Sequence, residues 1–307
     1  MPVSDEQLID VGRGITLCAD RLGDPGDPPL VLIAGLGMQM IRWPQGFCER
    51  LVAQGFHVVR FDNRDAGRST HADFRPPRLS QLMTGRYDSG QYTLEEMAAD
   101  TAGLLDALGL RPAHLVGVSM GGMLAQMTAA LHPEHVRSLV SIMSTTGARR
   151  AGWAAPSTLR LMFRPPPRTR EEAARRAVPM WRHIGSHGFP FDEATVRELA
   201  MRGFDRDPQA AAGSGRQLGA IRRSGDRTAQ LGQITAPTLV IHGDRDPMVH
   251  PSGGRATAAA IPGARLETIR GMGHDLPEGA WDQLAELIAG HARGAEQAME
   301  PAGEITA

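Results

Sequence analysis

Short apolar runs alternate with amphipathic stretches along most of this 307-residue chain. Residues 30–34 (L-V-L-I-A) and 57–61 (H-V-V-R-F) have the length and β-branched content of buried strands. Residues 114–118, 137–143, 237–242 and 264–269 repeat that signal. Residues 15–21 predict an antiparallel edge strand, with a further strand at 7–11 before it. Helical patterns fill the gaps. One covers residues 45–54 and stops at Gly55. Another opens on the capping box T-L-E-E at Thr93 and runs to Gly109. Others span residues 120 to about 132 and 281–291. Repeated strand–helix–strand units imply a mostly parallel central sheet with helices on both faces.

One long segment breaks the alternation. Residues 147–233 contain no strand-like run. They show helical stretches around 171–181 and 192–204, punctuated by Pro165, Pro166 and Pro167. The expected organisation is therefore a core in two parts, 1–146 and 234–292, interrupted by a helical insertion at 147–233. A second irregular stretch, 70–91, is expected near the same rim. Residues 293–307 have little to bury and are expected to be a disordered tail.

Composition narrows the function. Hydrophobic residues make up 41% and charged ones 22%, ordinary for a soluble globular chain. No apolar run approaches the ~20 residues that span a bilayer, and the first residues lack the basic and apolar regions of a secretory signal. The expectation is a cytoplasmic protein with no membrane partner. Two cysteines, Cys18 and Cys48, suit a reducing compartment without disulfides. There is no lysine, which excludes a Schiff base, a phosphate-loop lysine and a Ser-Lys dyad. The net charge of −1 argues against nucleic acid as a partner. It is uneven, because residues 147–233 hold sixteen arginines against eight acids. Many of those arginines have acids within helical reach, as in R-T-R-E-E-A-A-R-R from Arg168. They are expected to form a solvated outer surface, with a neutral substrate beneath.

The chemistry centres on H-L-V-G-V-S-M-G-G at residues 114–122. An apolar strand meets a helix at a turn carrying G-x-S-x-G, with Ser119 at its apex. In α/β hydrolases such a turn is the nucleophile elbow. The alternative is a serine that merely fits a tight turn. The Met120 N–H, at the helix start, points at any oxyanion formed there. A serine nucleophile needs a base, and the base needs an anion to fix its tautomer. Downstream, H-G-D-R-D-P at 242–247 and G-M-G-H-D-L-P at 271–277 each follow a strand. His274 is the expected base. His242 is a rival lying within a strand end, and His132 and His135 are expected to be solvated. Gly185 weakens any metal reading of His183 and His187. The acid is Asp244 or Asp246, and Pro247 fixes the loop behind the second. The loop A-G-L-G-M at 34–38 supplies the second oxyanion donor, the Leu36 N–H, with Gly37 as runner-up. Asp62, Arg64 and Ser69 read as side chains that hold a loop through backbone hydrogen bonds. Met38, Met40, Trp43, Met120, Met162, Phe163, Met180, Trp181 and Met248 are concentrated in the loops and the insertion around this site. With Gly35, the residues Met38, Trp43, Met162, Trp181 and Met248 are the expected substrate-binding set, suited to a bulky hydrophobic group.

Assembled, these residues resemble an α/β-hydrolase over nearly the whole chain, and among such enzymes the bacterial aclacinomycin methylesterases. The resemblance rests on G-D-P-x-D-P at 23–28, Trp43-Pro44, R-F-D-N-R-D-A-G-R-S-T at 60–70 and G-V-S-M-G. It extends to W-R-H-I-G-S-H-G-F-P-F-D at 181–192, Asp246-Pro247 and R-G-M-G-H at 270–274. It implies a triad of Ser119, Asp246 and His274, oxyanion donors at Leu36 and Met120, and a helical lid formed by residues 147–233. It also implies methyl esters of glycosylated aromatic polyketides as substrates. The chain departs from that family at 35–37, where G-L-G replaces G-G-N inside the pocket. The expected function is a serine carboxylic-ester hydrolase that forms an acyl-enzyme on a hydrophobic ester or lactone, with a polyketide methyl ester or a macrolide as examples. It needs no cofactor and no metal. A C–C bond hydrolase of the same fold and a non-catalytic binding protein are the alternatives.

Overall fold

The computed structural model describes residues 5–162 and 165–298. Eight strands form one sheet: β1 (Gln7–Asp10), β2 (Thr16–Leu22), β3 (Pro29–Ile33), β4 (His57–Phe61), β5 (Ala113–Val118), β6 (Val136–Ile142), β7 (Thr238–Gly243) and β8 (Arg265–Ile269). Their order is β1-β2-β4-β3-β5-β6-β7-β8. The pairs β1–β2 and β2–β4 are antiparallel, and every later pair is parallel. The edge strand is thus β1, with β2 one position inside it. β4 and β5 are buried throughout, as strands covered on both faces must be.

The helices are α1 (Gln45–Ala53), α2 (Leu79–Thr84), α3 (Leu94–Leu108), α4 (Met120–Leu131), α5 (Pro156–Met162), α6 (Arg170–Ile184), α7 (Glu193–Arg206), α8 (Ala210–Ser224), α9 (Thr228–Leu231), α10 (Ser252–Ala260) and α11 (Trp281–Gln297). Thr93 caps α3 with Glu96 closing the box, and Gly109 ends it in the left-handed region at φ +66°. α3 and α4 pack on one face of the sheet, through Leu94, Leu104, Leu124 and Met127. α1 and α11 cover the other, through Phe47, Leu51, Leu284 and Ile288. No helix among the described residues is long and apolar enough to cross a membrane.

Two expectations are corrected. α11 continues to Gln297, so residues 293–297 are helical rather than part of a tail. The stripe Leu284, Ile288, Ala292, Ala295 keeps its helical spacing, and Ala295 is only 2% exposed. The rest of the expected tail, 299–307, lies outside the described residues, as does Phe163. Among the described residues, the segment between β6 and β7 holds five helices where the pattern gives two. α8 was illegible because Gly213, Gly215 and Gly219 weaken its helical signal. Those glycines serve close packing: a Cβ on Gly213 would overlap the Asp65 carbonyl, and one on Gly219 the Gln91 side chain.

Buried ion pairs fasten this segment to the core. Arg216 of α8 binds Asp65 through two nitrogens, and Tyr92 donates to the same carboxylate at 2.7 Å. Arg206 of α7 binds Asp62 at 2.9 Å. Asp62 also accepts the N–H groups of Met40 and Arg68, so it organises its loop as well as its ion pair. Arg64 pairs with Asp100, and the Ser69 hydroxyl donates to Asp62 O.

Candidate active site

Ser119 stands between β5 and α4 with φ +55° and ψ −119°. A side chain held in that region is strained, and the surrounding packing must impose it. Gly117 and Gly121 make the turn possible. A Cβ on Gly117 would overlap the Gly121 carbonyl, and one on Gly121 the Ile33 carbonyl. The Ser119 N–H donates to Ile142 O at 2.9 Å, tying the turn to the neighbouring strand.

The loop after β8 brings His274 to this serine. His274 Nε2 lies 3.0 Å from Ser119 Oγ, and Nδ1 lies 2.7 Å from Asp246 Oδ2. The carboxylate fixes a proton on Nδ1, which leaves Nε2 to accept from the serine hydroxyl. Asp246 Oδ1 accepts the N–H groups of Met248 at 2.8 Å and Val249 at 2.9 Å. Burial alone would raise the Asp246 pKa. The charge of His274, the His242 and His274 hydrogen bonds and the Val249 N–H outweigh it and hold the carboxyl well below the usual range. Asp244 does not reach His274. It accepts the Gly271 N–H at 2.7 Å and bears on the shape of the loop. His242 is buried with Nε2 2.8 Å from Val249 O, behind Asp246 rather than beside Ser119.

The loop after β3 packs directly on the serine. A Cβ on Gly35 would stand 3.0 Å from Met38 Sδ and 3.3 Å from Ser119 Cβ. Leu36, the next residue, is half-buried. The Gly37 N–H is already committed, donating to Gln217 Oε1 of α8 at 2.8 Å. Of the two donors proposed for this loop, only Leu36 is free of that bond. The Met120 N–H heads α4 beside the serine.

A cavity of about 680 Å³ opens onto Ser119 and His274 and is lined by Met38, Trp43, Trp181 and Phe191. A second cavity of about 690 Å³ adjoins it, and the two share Met38, Ile41, Arg42 and Leu199 as common wall. Met162 lines the second cavity and not the first. Met248 lines neither, and its backbone braces Asp246 instead. Met38, Trp43 and Trp181 of the expected substrate-binding set therefore line the cavity of the serine, and Gly35 lies against Ser119 itself.

A model of the α/β-hydrolase fold family matches residues 28–279. The chain belongs to that family. The hydrolase is 34% identical over 306 residues to rhodomycin D methylesterase of Streptomyces peucetius, covering 92% of this chain and 96% of the relative. It is 33% identical to the enzyme of that name from Streptomyces sp. strain C5, with the same coverage. Among solved structures, it is similar to 2-hydroxy-6-oxo-6-phenylhexa-2,4-dienoate hydrolase from Rhodococcus sp. strain RHA1. The TM-score there is 0.75 at 20% identity, over 95% of this chain and all of the other.

The hydrolase also uses residues that the sequence did not single out. The His274 N–H donates to Ile184 O at 2.7 Å, and the Gly273 N–H to Ser186 Oγ at 2.9 Å. The end of α6 thus holds the histidine loop. The signal was present in the W-R-H-I-G-S-H-G string, which contains Ile184, Ser186 and Gly188. Gln217 had none. Among the described residues, the one group of metal-ligating side chains in mutual reach is His132, Glu134 and His135. It sits at the start of β6, while Ser119 follows the end of the parallel strand β5. Burial pushes Cys18 up to about 12 and Cys48 up to about 11, so neither offers a thiolate near neutral pH.

Proposed function

We propose that this chain is a serine carboxylic-ester hydrolase that works through an acyl-enzyme. The observation that carries the reading is His274 set between Ser119 Oγ and Asp246 Oδ2 at 3.0 and 2.7 Å. His274 takes the serine proton as Oγ attacks the ester carbonyl. The Leu36 and Met120 N–H groups stabilise the oxyanion, and Asp246 stabilises the imidazolium. His274 then passes its proton to the departing alcohol. A water activated by the same imidazole attacks the acyl carbon and releases the acid. The helices between β6 and β7 act as a lid that walls the cavity and excludes bulk water. Tryptophan, phenylalanine and methionine around the serine suit a large hydrophobic acyl group, and the methylesterase relatives favour a polyketide methyl ester.

Labelling with a fluorophosphonate, followed by peptide mapping, tests the nucleophile. The adduct should fall on Ser119 and vanish in Ser119→Ala, whose kcat on any ester turned over should drop ~10⁴-fold or more. An ester panel of short p-nitrophenyl esters, polyketide methyl esters, macrolactones and a vinylogous diketone ranks the substrate classes. Turnover of the diketone alone would replace ester hydrolysis with C–C cleavage.

A further inference from the structure

Arg42 ends the short helical turn Met40–Arg42 and belongs to the wall shared by the two cavities. Its guanidinium lies over the Trp181 ring, 4.5 Å from the centroid. Among the described residues it has no carboxylate within ion-pair distance and no hydrogen-bond acceptor. The half-buried Arg42 differs in this from several guanidiniums that the fold buries more fully. Arg60 is held by Asp20, Arg206 by Asp62 and Glu6, and Arg216 by Asp65. Arg227 is held by the carbonyls of Thr145 and Gly225. Of the acids lining the serine's cavity, Asp192 is engaged with Thr195, Glu198 with Arg202 and Asp275 with Ser186, while Glu278 is exposed and makes no ion pair with Arg42. Burial pushes the Arg42 guanidinium down to about 10, with no neighbouring acid to offset it. The guanidinium is half-buried and faces the cavities, where an anionic ligand group would supply the partner that the protein does not. The guanidinium fork matches a carboxylate through two parallel hydrogen bonds, while its flat face remains on an aromatic ring.

We propose that Arg42 is a substrate-recognition residue that binds a carboxylate on the acyl part of the ester, remote from the scissile carbonyl. This rests on the ester-hydrolase reading and refines its substrate class. Trp181 holds the guanidinium flat at the junction of the cavities. The acyl chain extends from Ser119 along the apolar wall, and its far acidic end meets the cation.

The test compares mono-p-nitrophenyl succinate, adipate and suberate with p-nitrophenyl butyrate, hexanoate and octanoate. For each length, the kcat/KM ratio of the acidic to the neutral ester is measured in wild type, Arg42→Met, Arg42→Gln and Arg42→Lys. At the best length, Met and Gln should each lower the ratio ~10-fold or more, as expected when one member of a charged hydrogen-bonded pair is removed. Lys should restore part of it. A general loss of structure would lower both esters and leave the ratio unchanged. Equilibrium dialysis of the same esters against Ser119→Ala, with and without Arg42→Met, gives a readout free of turnover. Preference for the acidic ester there should disappear with Arg42. A ratio and a binding preference that Arg42→Met and Arg42→Gln leave unaltered at every length would overturn the proposal. If wild type turns over no ester and fluorophosphonate leaves Ser119 unlabelled, the hydrolase reading fails, and the dialysis arm alone decides Arg42.

Discussion

Gln217 Oε1 accepts the Gly37 N–H at 2.8 Å, and its amide nitrogen donates to Arg64 O at 2.7 Å. One buried side chain from α8 therefore locks two core loops, including the one that packs on Ser119. Gly37 sits at φ +64°, a left-handed turn that orients the preceding Leu36. Gln217→Leu would leave the Gly37 N–H and the Arg64 carbonyl without partners at a cost of about 1–3 kcal/mol each. The loop should shift, and the Leu36 donor with it. The expected outcome is a kcat lower by ~10- to 100-fold with KM little changed, as when an oxyanion donor is lost or displaced. Steady-state kinetics on any ester substrate decides it. An unchanged kcat would show that the loop keeps its shape without Gln217.

The two aspartates of the β7 loop should separate cleanly. Asp246→Asn removes the carboxylate that fixes the His274 tautomer, and should lower kcat by ~10⁴. Asp244→Asn weakens the bond to the Gly271 N–H and an exposed contact with Arg245, and should cost far less in kcat while lowering the melting temperature slightly. The pH behaviour follows from the depressed pKa of Asp246. A carboxyl with a lowered folded pKa adds stability that is present above its unfolded value, about 3.9, and is lost as pH falls through the folded one. The stability gap between wild type and Asp246→Asn should therefore be widest near neutrality and shrink below about pH 4. Chemical denaturation at a series of pH values measures it. The reverse ranking of the two mutants in kcat would move the acid role to Asp244.

The strands, the α3 capping box and the serine turn were legible because each is fixed by local sequence. Thr93 and Glu96 are three residues apart, and Gly117, Ser119 and Gly121 span one turn. His274 and Asp246 were legible from their place after strands, although residue chemistry alone left Asp244 open beside Asp246. What the sequence hid depends on contacts between distant segments. Gln217 meets Gly37 across 180 positions, and Arg216 meets Asp65 across 151. The glycines of α8 read as helix breakers when their purpose is close packing. Arg206 and Arg216, counted with a solvated basic surface, turn inward to buried acids. Met248 looked like a pocket residue by type and neighbourhood, yet its contribution is a backbone N–H to Asp246.

Two glycines should respond oppositely to alanine. A Cβ on Gly121 would overlap the Ile33 carbonyl oxygen, which is backbone and cannot move without displacing β3. Gly121→Ala should destabilise the fold by more than about 3 kcal/mol, in the range of other strained or overpacked core changes. Gly290 lies on the exposed side of α11, and a Cβ added there would meet nothing within 4 Å. Gly290→Ala should stabilise by about 0.5–1 kcal/mol, because it restricts the unfolded chain and favours helix. Urea unfolding of the two variants checks both signs, and a tolerated Gly121→Ala would mean that the elbow is looser than its contacts require.

The last expectation concerns the sixteen arginines of residues 147–233. Several pair with acids on the same or adjacent helices, half-buried in Arg176–Glu172 and exposed in Arg182–Glu193, Arg197–Glu193 and Arg202–Glu198. Arg206 and Arg216 are neutralised by buried carboxylates. Arg176 and Arg202 line the two cavities, but each is paired with an acid one turn away, and exposed pairs are typically worth only ~0–1 kcal/mol. For a neutral ester, kcat/KM should change little between low and physiological salt, since no long-range field steers the encounter. Arg42 does not alter this, because a cation within the cavity wall is screened by salt far less than one in solvent. Measuring kcat/KM for p-nitrophenyl hexanoate across that salt range settles the point. A steep fall would mean that the surface arginines reach the approaching substrate, and that the helical segment attracts ligand as well as enclosing it.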